Sequence, residues 1–254
     1  MISNEMISIV GPAFSVGLMV SLVHAPLGIE VLRRGIIFID LAVAQIAGLG
    51  LVIASIFLTE ASFFVTQAIA LSCALLAGLL FSKTEVLAPA QQEALIGASF
   101  VLAASLAILF LYDRPSGGQE IQHLLSGQML FVTWREIGLH APLYALILLI
   151  WFTKPAFRNG IKFYLIFAIA ITSSVQMVGV YVVFASLILP ALAALNTQHP
   201  HAIAWACGLL SVITGSITSI VLDAPSGPVT VVSYVTITLL AIIIRNMKTT
   251  NKAS

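Results

Sequence analysis

Residues 26–50 read PLGIEVLRRGIIFIDLAVAQIAGLG, and the character of the chain follows from them. Two arginines, Arg33 and Arg34, stand at the mouth of a long apolar run, and Asp40 lies inside it. A carboxylate in hydrocarbon costs several kcal/mol unless it is paired, protonated or facing water. No other acid sits so deep in an apolar segment, which makes Asp40 the first candidate functional residue. Ala42, Ala44, Ala47, Gly48 and Gly50 keep the following helix slim, so that a neighbouring helix can approach closely.

The rest of the chain is of the same kind. Of its 254 residues 60% are apolar and 8% charged, with mean hydropathy +1.09; a soluble protein carries about 25% charged residues. So few charges cannot cover a water-facing surface. The expectation is an all-α polytopic membrane protein of about 8–9 transmembrane helices, forming one transmembrane domain over residues 1–254. A net charge of +1 speaks against nucleic acid as a partner. Cys73 and Cys207 lie inside apolar runs and read as small packing residues. No short apolar leader with a small-residue cleavage site precedes the first span, which is long enough to stay in the membrane.

Apolar runs of about 17–25 residues mark the candidate spans. They fall at about 6–24, 36–58, 61–81, 93–112, 137–153, 161–178, 180–195, 201–222 and 228–244. The run Ile161 to Leu195 is too long for one helix and is split at Val178-Gly179, where glycine weakens helix. With the N-terminus outside, nine crossings gather Arg33, Arg34, Lys83, Lys154, Arg158, Lys162, Arg245, Lys248 and Lys252 inside. Only Arg114 and Arg135 fall outside, the asymmetry that positive-inside topology requires. The apolar stretch from His123 to Trp134 is too short to cross and is a candidate re-entrant segment bending at Gly127. No GxxxxGK[ST] occurs, so the chain does not hydrolyse ATP by that chemistry.

Among polar residues, Asp40 reads as a cation ligand or proton carrier, or else as a structural acid bonded to a neighbouring helix's backbone or to Arg33 or Arg34. Gln45 is a second metal-ligand candidate, although five residues place it about 140° around a regular helix from Asp40. Thr172, Ser173 and Gln176 share one helix face just before the break and are candidate pathway-lining residues. Interhelical hydrogen bonding would explain them equally. Glu93 opens a span, where the helix dipole favours an acid, and is a further pathway candidate. His24 and His140 lie near expected span ends, and His199 and His201 flank Pro200. None forms HxxxH or HExxH.

Five stretches together resemble one family, the permease subunits of ABC-type zinc, manganese and iron importers. They are PLG with VLRRGIIFIDLAVAQIAGLG, EALIG at 93–97, HLLSGQML at 123–130, VGVYVVFASLILPALAAL at 178–195 and DAPSGPVTVV at 223–232. They occur in the family's order and span nearly the whole chain. The resemblance implies a homodimer in the bacterial inner membrane with cytoplasmic ATPase subunits and an extracytoplasmic metal-binding protein. It further implies that the chain holds no cofactor and passes a divalent metal as substrate, and that Pro190, Ala191, Ala194 and Leu195 dock the ATPase. Many members carry aspartate with histidine four residues later. Asp40 matches the first, but Ala44 replaces the histidine. The rival reading is a stand-alone secondary transporter with Asp40 as coupling acid.

Overall fold

The computed structural model describes residues 4–58, 62–114, 118–119, 125 and 129–253. Its first helix already departs from expectation. α1 runs Asn4–Arg34, straight through Pro26, where the sequence suggested a span ending at 24. Proline has no N–H for the carbonyl four residues back, which normally kinks or ends a helix. Here the orphaned carbonyl, that of Leu22, accepts a 3.0 Å hydrogen bond from the indole Nε1 of Trp205. Tertiary contact replaces the missing helical bond, and the helix continues to the arginine pair.

The remaining helices are α2 Ile39–Phe57, α3 Phe63–Lys83, α4 Pro89–Leu111, α5 Trp134–Thr153, α6 Gly160–Val178, α7 Val180–Ala194, α8 Pro200–Leu222 and α9 Ser226–Ala253. Short 3-10 turns lie at Thr84–Val86, Met129–Phe131 and Pro155–Arg158, and no strand occurs among the described residues. α5 begins a turn before its expected start because Thr133 and Glu136 form a reciprocal capping box, with Thr133 N to Glu136 Oε2 at 2.8 Å. Pro89 and Pro200 occupy the first position of α4 and α8, where a missing N–H costs nothing. The stretch expected to be re-entrant lies outside the described residues, apart from Leu125 and the turn at Met129–Phe131.

The break at Gly179 is present. Gly179 has φ +80 and ψ 163 and separates α6 from α7. A side chain would disfavour that backbone. Its length sets α7 apart from the other spans, however. α7 has 15 residues, about 22 Å at 1.5 Å per residue, short of a hydrocarbon core of about 30 Å. It packs against α1. There Gly28 is obligatory, since a Cβ on it would sit 1.9 Å from the carbonyl oxygen of Leu187. Among the described helices, eight are long and apolar enough to cross a membrane.

Because α7 returns the chain to the end where α1 finishes, the charges stay sorted. Arg34 hydrogen-bonds Glu85 and the carbonyl of Arg158, and Arg245 reaches the carbonyls of Ala193 and Leu195. Those contacts bring the basic ends of α1, α3, α5, α7 and α9 together, and Arg114, bonded to Ser55 O, lies at the other end of α2. α1, α2 and α6 are mostly buried, whereas α4, α5 and α9 are mostly exposed. The outward faces of these three carry Leu102, Leu109, Leu146, Leu149, Leu239 and Ile243, the surface a lipid-facing helix requires. Cys73 and Cys207 are both free; the Sγ of Cys73 packs at Gly50.

Candidate functional site

Asp40 is the second residue of α2 and is 1% exposed. Neither carboxylate oxygen has a hydrogen-bond partner among the described residues. The backbone amides of Asp40 and Leu41 lie near it, as the start of a helix dictates, but not in bonding geometry. Nor is it paired with arginine. Arg33 and Arg34 both turn to Glu30, with Nη2 of Arg33 at 2.7 Å and Nε of Arg34 at 2.8 Å from Oε1. Arg34 also bonds Glu85 and stacks over Phe163 at 4.2 Å. Among the described residues, neither a neighbouring helix's backbone nor the arginine pair holds this acid.

Its neighbour is Glu93, near enough for the two charges to interact. Glu93 Oε1 accepts from the backbone N–H of Phe38 at 3.0 Å, holding the chain just before α2, while Oε2 is buried without a partner. Adjacent Gln92 donates to the hydroxyl of Tyr164 at 2.9 Å, tying α4 to α6. Gln45 is buried further along an unbroken α2 and so does not share the face of Asp40. The Asp40–Glu93 pair thus offers three unpartnered carboxylate oxygens, able to take up a cation or a proton. Among the described residues no group of three His, Cys, Asp or Glu side chains is assembled to hold a metal.

Thr172, Ser173 and Gln176 do come together. They line a cavity of about 270 Å³ between α3, α5 and α6. Two residues that sequence reasoning did not place there join them, Gln67 from α3 and His140 from α5. His140 Nδ1 lies 2.7 Å from Ser173 Oγ. Thr172 Oγ1 turns back to the carbonyl of Ala168. Glu93 is not part of this lining.

A second histidine was missed for a clear reason. His24 looked like a span-end residue because the helix was expected to stop there. With α1 continuing, it is fully buried. Nδ1 meets Ser186 Oγ at 2.7 Å and Nε2 meets Ser174 Oγ at 2.9 Å. Ser174 also bonds Tyr144 at 2.6 Å. This satisfied polar network joins α1, α5, α6 and α7 around the break.

At the basic end, Pro190, Ala191 and Ala194 are buried within the chain, and only Leu195 of the four docking candidates is exposed, at 41%. Ala191, Ala194 and Leu195 line a groove of about 350 Å³ with Ile29, Leu32 and Arg33. Trp134 is 58% exposed and lies against Gly11.

A helical bundle with a broken helix pair at its centre, an unpaired buried carboxylate and a largely apolar cavity holding a few polar side chains between crossing helices defines a class, the polytopic permeases. Sequence comparison then supplies the family: residues 6–157 and 156–245 match the ABC 3 transport family, and the chain belongs to it. It is a permease of a bacterial membrane. The chain is 26% identical over 241 residues to the manganese transport system membrane protein MntC of Halalkalibacterium halodurans, covering 85% of this chain and 80% of that protein. Two solved structures share the fold. PsaBC from Streptococcus pneumoniae in complex with Fab matches with TM-score 0.69 and 19% identity over 91% of this chain and 90% of that one. An inward-facing metal-chelate type ABC transporter matches with TM-score 0.70 and 14% identity over 95% and 89%.

Proposed function

We propose that this protein is the membrane subunit of an ATP-driven importer of a divalent metal ion, with zinc, manganese and iron as the candidate cargoes. The observation that carries the reading is membership of the ABC 3 transport family along nearly the whole chain. The manganese assignment of its relative and the unpartnered Asp40 carboxylate agree with it. The stand-alone secondary transporter finds no comparable support. The chain works as a homodimer, with ATP hydrolysed on separate cytoplasmic subunits and metal delivered by an extracytoplasmic binding protein. By the positive-inside rule the end bearing Arg33, Arg34 and Arg245 is cytoplasmic and the N-terminus is outside.

In this mechanism Asp40 takes the ion transiently. Carboxylates without fixed partners bind a cation without first breaking other bonds, and a site short of a full ligand cage lets it go again. Glu93 on α4 stands close by as an auxiliary oxygen donor; Gln45, on another face of α2, reaches the ion only if that helix distorts. ATP-driven closure of the partner subunits moves the α7–α8 connection around Leu195, and with it the broken α6–α7 pair, so that access to Asp40 alternates. Pro190, Ala191 and Ala194 act from inside by fixing the shape of that segment. The test is uptake of zinc, manganese and iron into vesicles holding the chain with its ATPase. ATP-dependent accumulation of one ion is expected; none for any metal, with the ATPase bound and active, would overturn the proposal.

A further inference from the structure

We infer that the cavity between α3, α5 and α6 is a second station for the cargo cation, with His140 as its nitrogen ligand and the side-chain amides of Gln67 and Gln176 beside it. The inference rests on the importer reading and deepens it. Two histidines of the bundle, His24 fully buried and His140 half-buried at the cavity, make the case by contrast. His24 has a hydroxyl partner on each ring nitrogen, as a purely structural histidine should. His140 has one, Ser173 on Nδ1, and among the described residues Nε2 has no hydrogen-bond partner. With Nδ1 protonated and donating to Ser173, Nε2 keeps its lone pair. One nitrogen pinned and the other open is the arrangement of a metal-ligating histidine.

The surroundings fit an ion in passage. The cavity volume of about 270 Å³ leaves room for a cation that keeps several waters, each taking roughly 30 Å³ in the liquid. Gln67 and Gln176 line it and use their amides on no other described residue, and Thr172 adds a hydroxyl. The side chains that line it contain no carboxylate, so the site binds weakly, while imidazole biases it towards transition metals over magnesium or calcium. Glu136 stands one turn before His140 on α5; its carboxylate is taken up by Thr133, so it adds a negative field without coordinating.

The station is distinct from Asp40. Tyr164 lies level with Gln92 and so with the Asp40–Glu93 pair. Ser173 is nine residues further along α6, roughly 13 Å at 1.5 Å per residue. No single coordination shell spans that distance. The station thus lies at another depth, nearer the end where α5 begins.

The test uses the untagged chain with its ATPase in lipid nanodiscs, with Mn²⁺ alone as probe, read by electron paramagnetic resonance for nitrogen hyperfine coupling. The wild type should show the coupling. His140→Ala should lose it and weaken Mn²⁺ binding by about tenfold. Asp40→Ala and His201→Ala should retain it. Gln176→Leu, at an exposed position, should weaken binding yet keep the coupling, which separates ligand loss from misfolding. Coupling that survives His140→Ala, or is absent from wild type that binds Mn²⁺, overturns the station while leaving the importer intact. Absence of ATP-driven uptake of any metal overturns the importer reading, and the station with it.

Discussion

Asp40→Ala separates a functional acid from a structural one, because the two roles predict opposite changes in stability. A structural acid stabilises the fold, so its removal lowers the unfolding temperature. Asp40 is 1% exposed with both carboxylate oxygens unpartnered. A buried polar group in that condition costs about 1–3 kcal/mol, more if it is charged. Deleting the carboxyl returns that penalty but sacrifices the packing of a small group, about 1 kcal/mol. The variant should therefore be at least as stable, by up to about 2 kcal/mol, a rise of up to roughly 8 °C for a chain of this size. Metal uptake should vanish while the ATPase still binds. Thermal unfolding in detergent and vesicle uptake on the same preparation measure both. A variant that melts several degrees lower, or one that still transports at the wild-type rate, refutes the reasoning.

Three further expectations follow from the packing. Trp205→Phe keeps the ring but removes the donor to Leu22, and should cost about 1 kcal/mol in mixed-micelle unfolding; combined with Pro26→Ala, which restores the helical N–H, the cost should disappear, and an unchanged cost would show that the indole bond is incidental. Gly28→Ala places a Cβ 1.9 Å from the Leu187 carbonyl oxygen, so α1 and α7 must separate; a loss of about 2 kcal/mol or more is expected, with transport impaired, and a neutral outcome would contradict the close approach. Arg34→Lys cannot reproduce bonds to Glu30, Glu85 and the Arg158 carbonyl at once. It should cost about 2 kcal/mol in the same unfolding assay, and stability equal to wild type would mean the hub is dispensable.

Much of the architecture is legible from one-dimensional signals, because each depends only on nearby residues. Apolar length marks the crossings, the glycine at 179 marks the break, lysine and arginine mark the ends, and a single acid in an apolar run marks Asp40. Each of these is a local property that survives whatever the chain packs against. Signals of that kind also explain the errors. A proline reads as a stop, so α1 was expected to end before Pro26, and His24 was placed at a span end.

What only the tertiary structure decided is which distant group meets which. Trp205 reaches Leu22 across 183 residues, and His24 meets Ser174 and Ser186 across 150 and 162. His140 gains one partner and keeps a free nitrogen, while Gln67, Thr172 and Gln176 converge on it from two other helices. Such meetings depend on the rotation and axial register of one helix against another. Register is set by the sum of contacts along both helices, above all close approaches such as Gly28 on Leu187. The composition and spacing of this sequence therefore determine a membrane-embedded helical chain with one conspicuous acid. The packing determines that the acid is left unpaired and that the open histidine stands in a cavity.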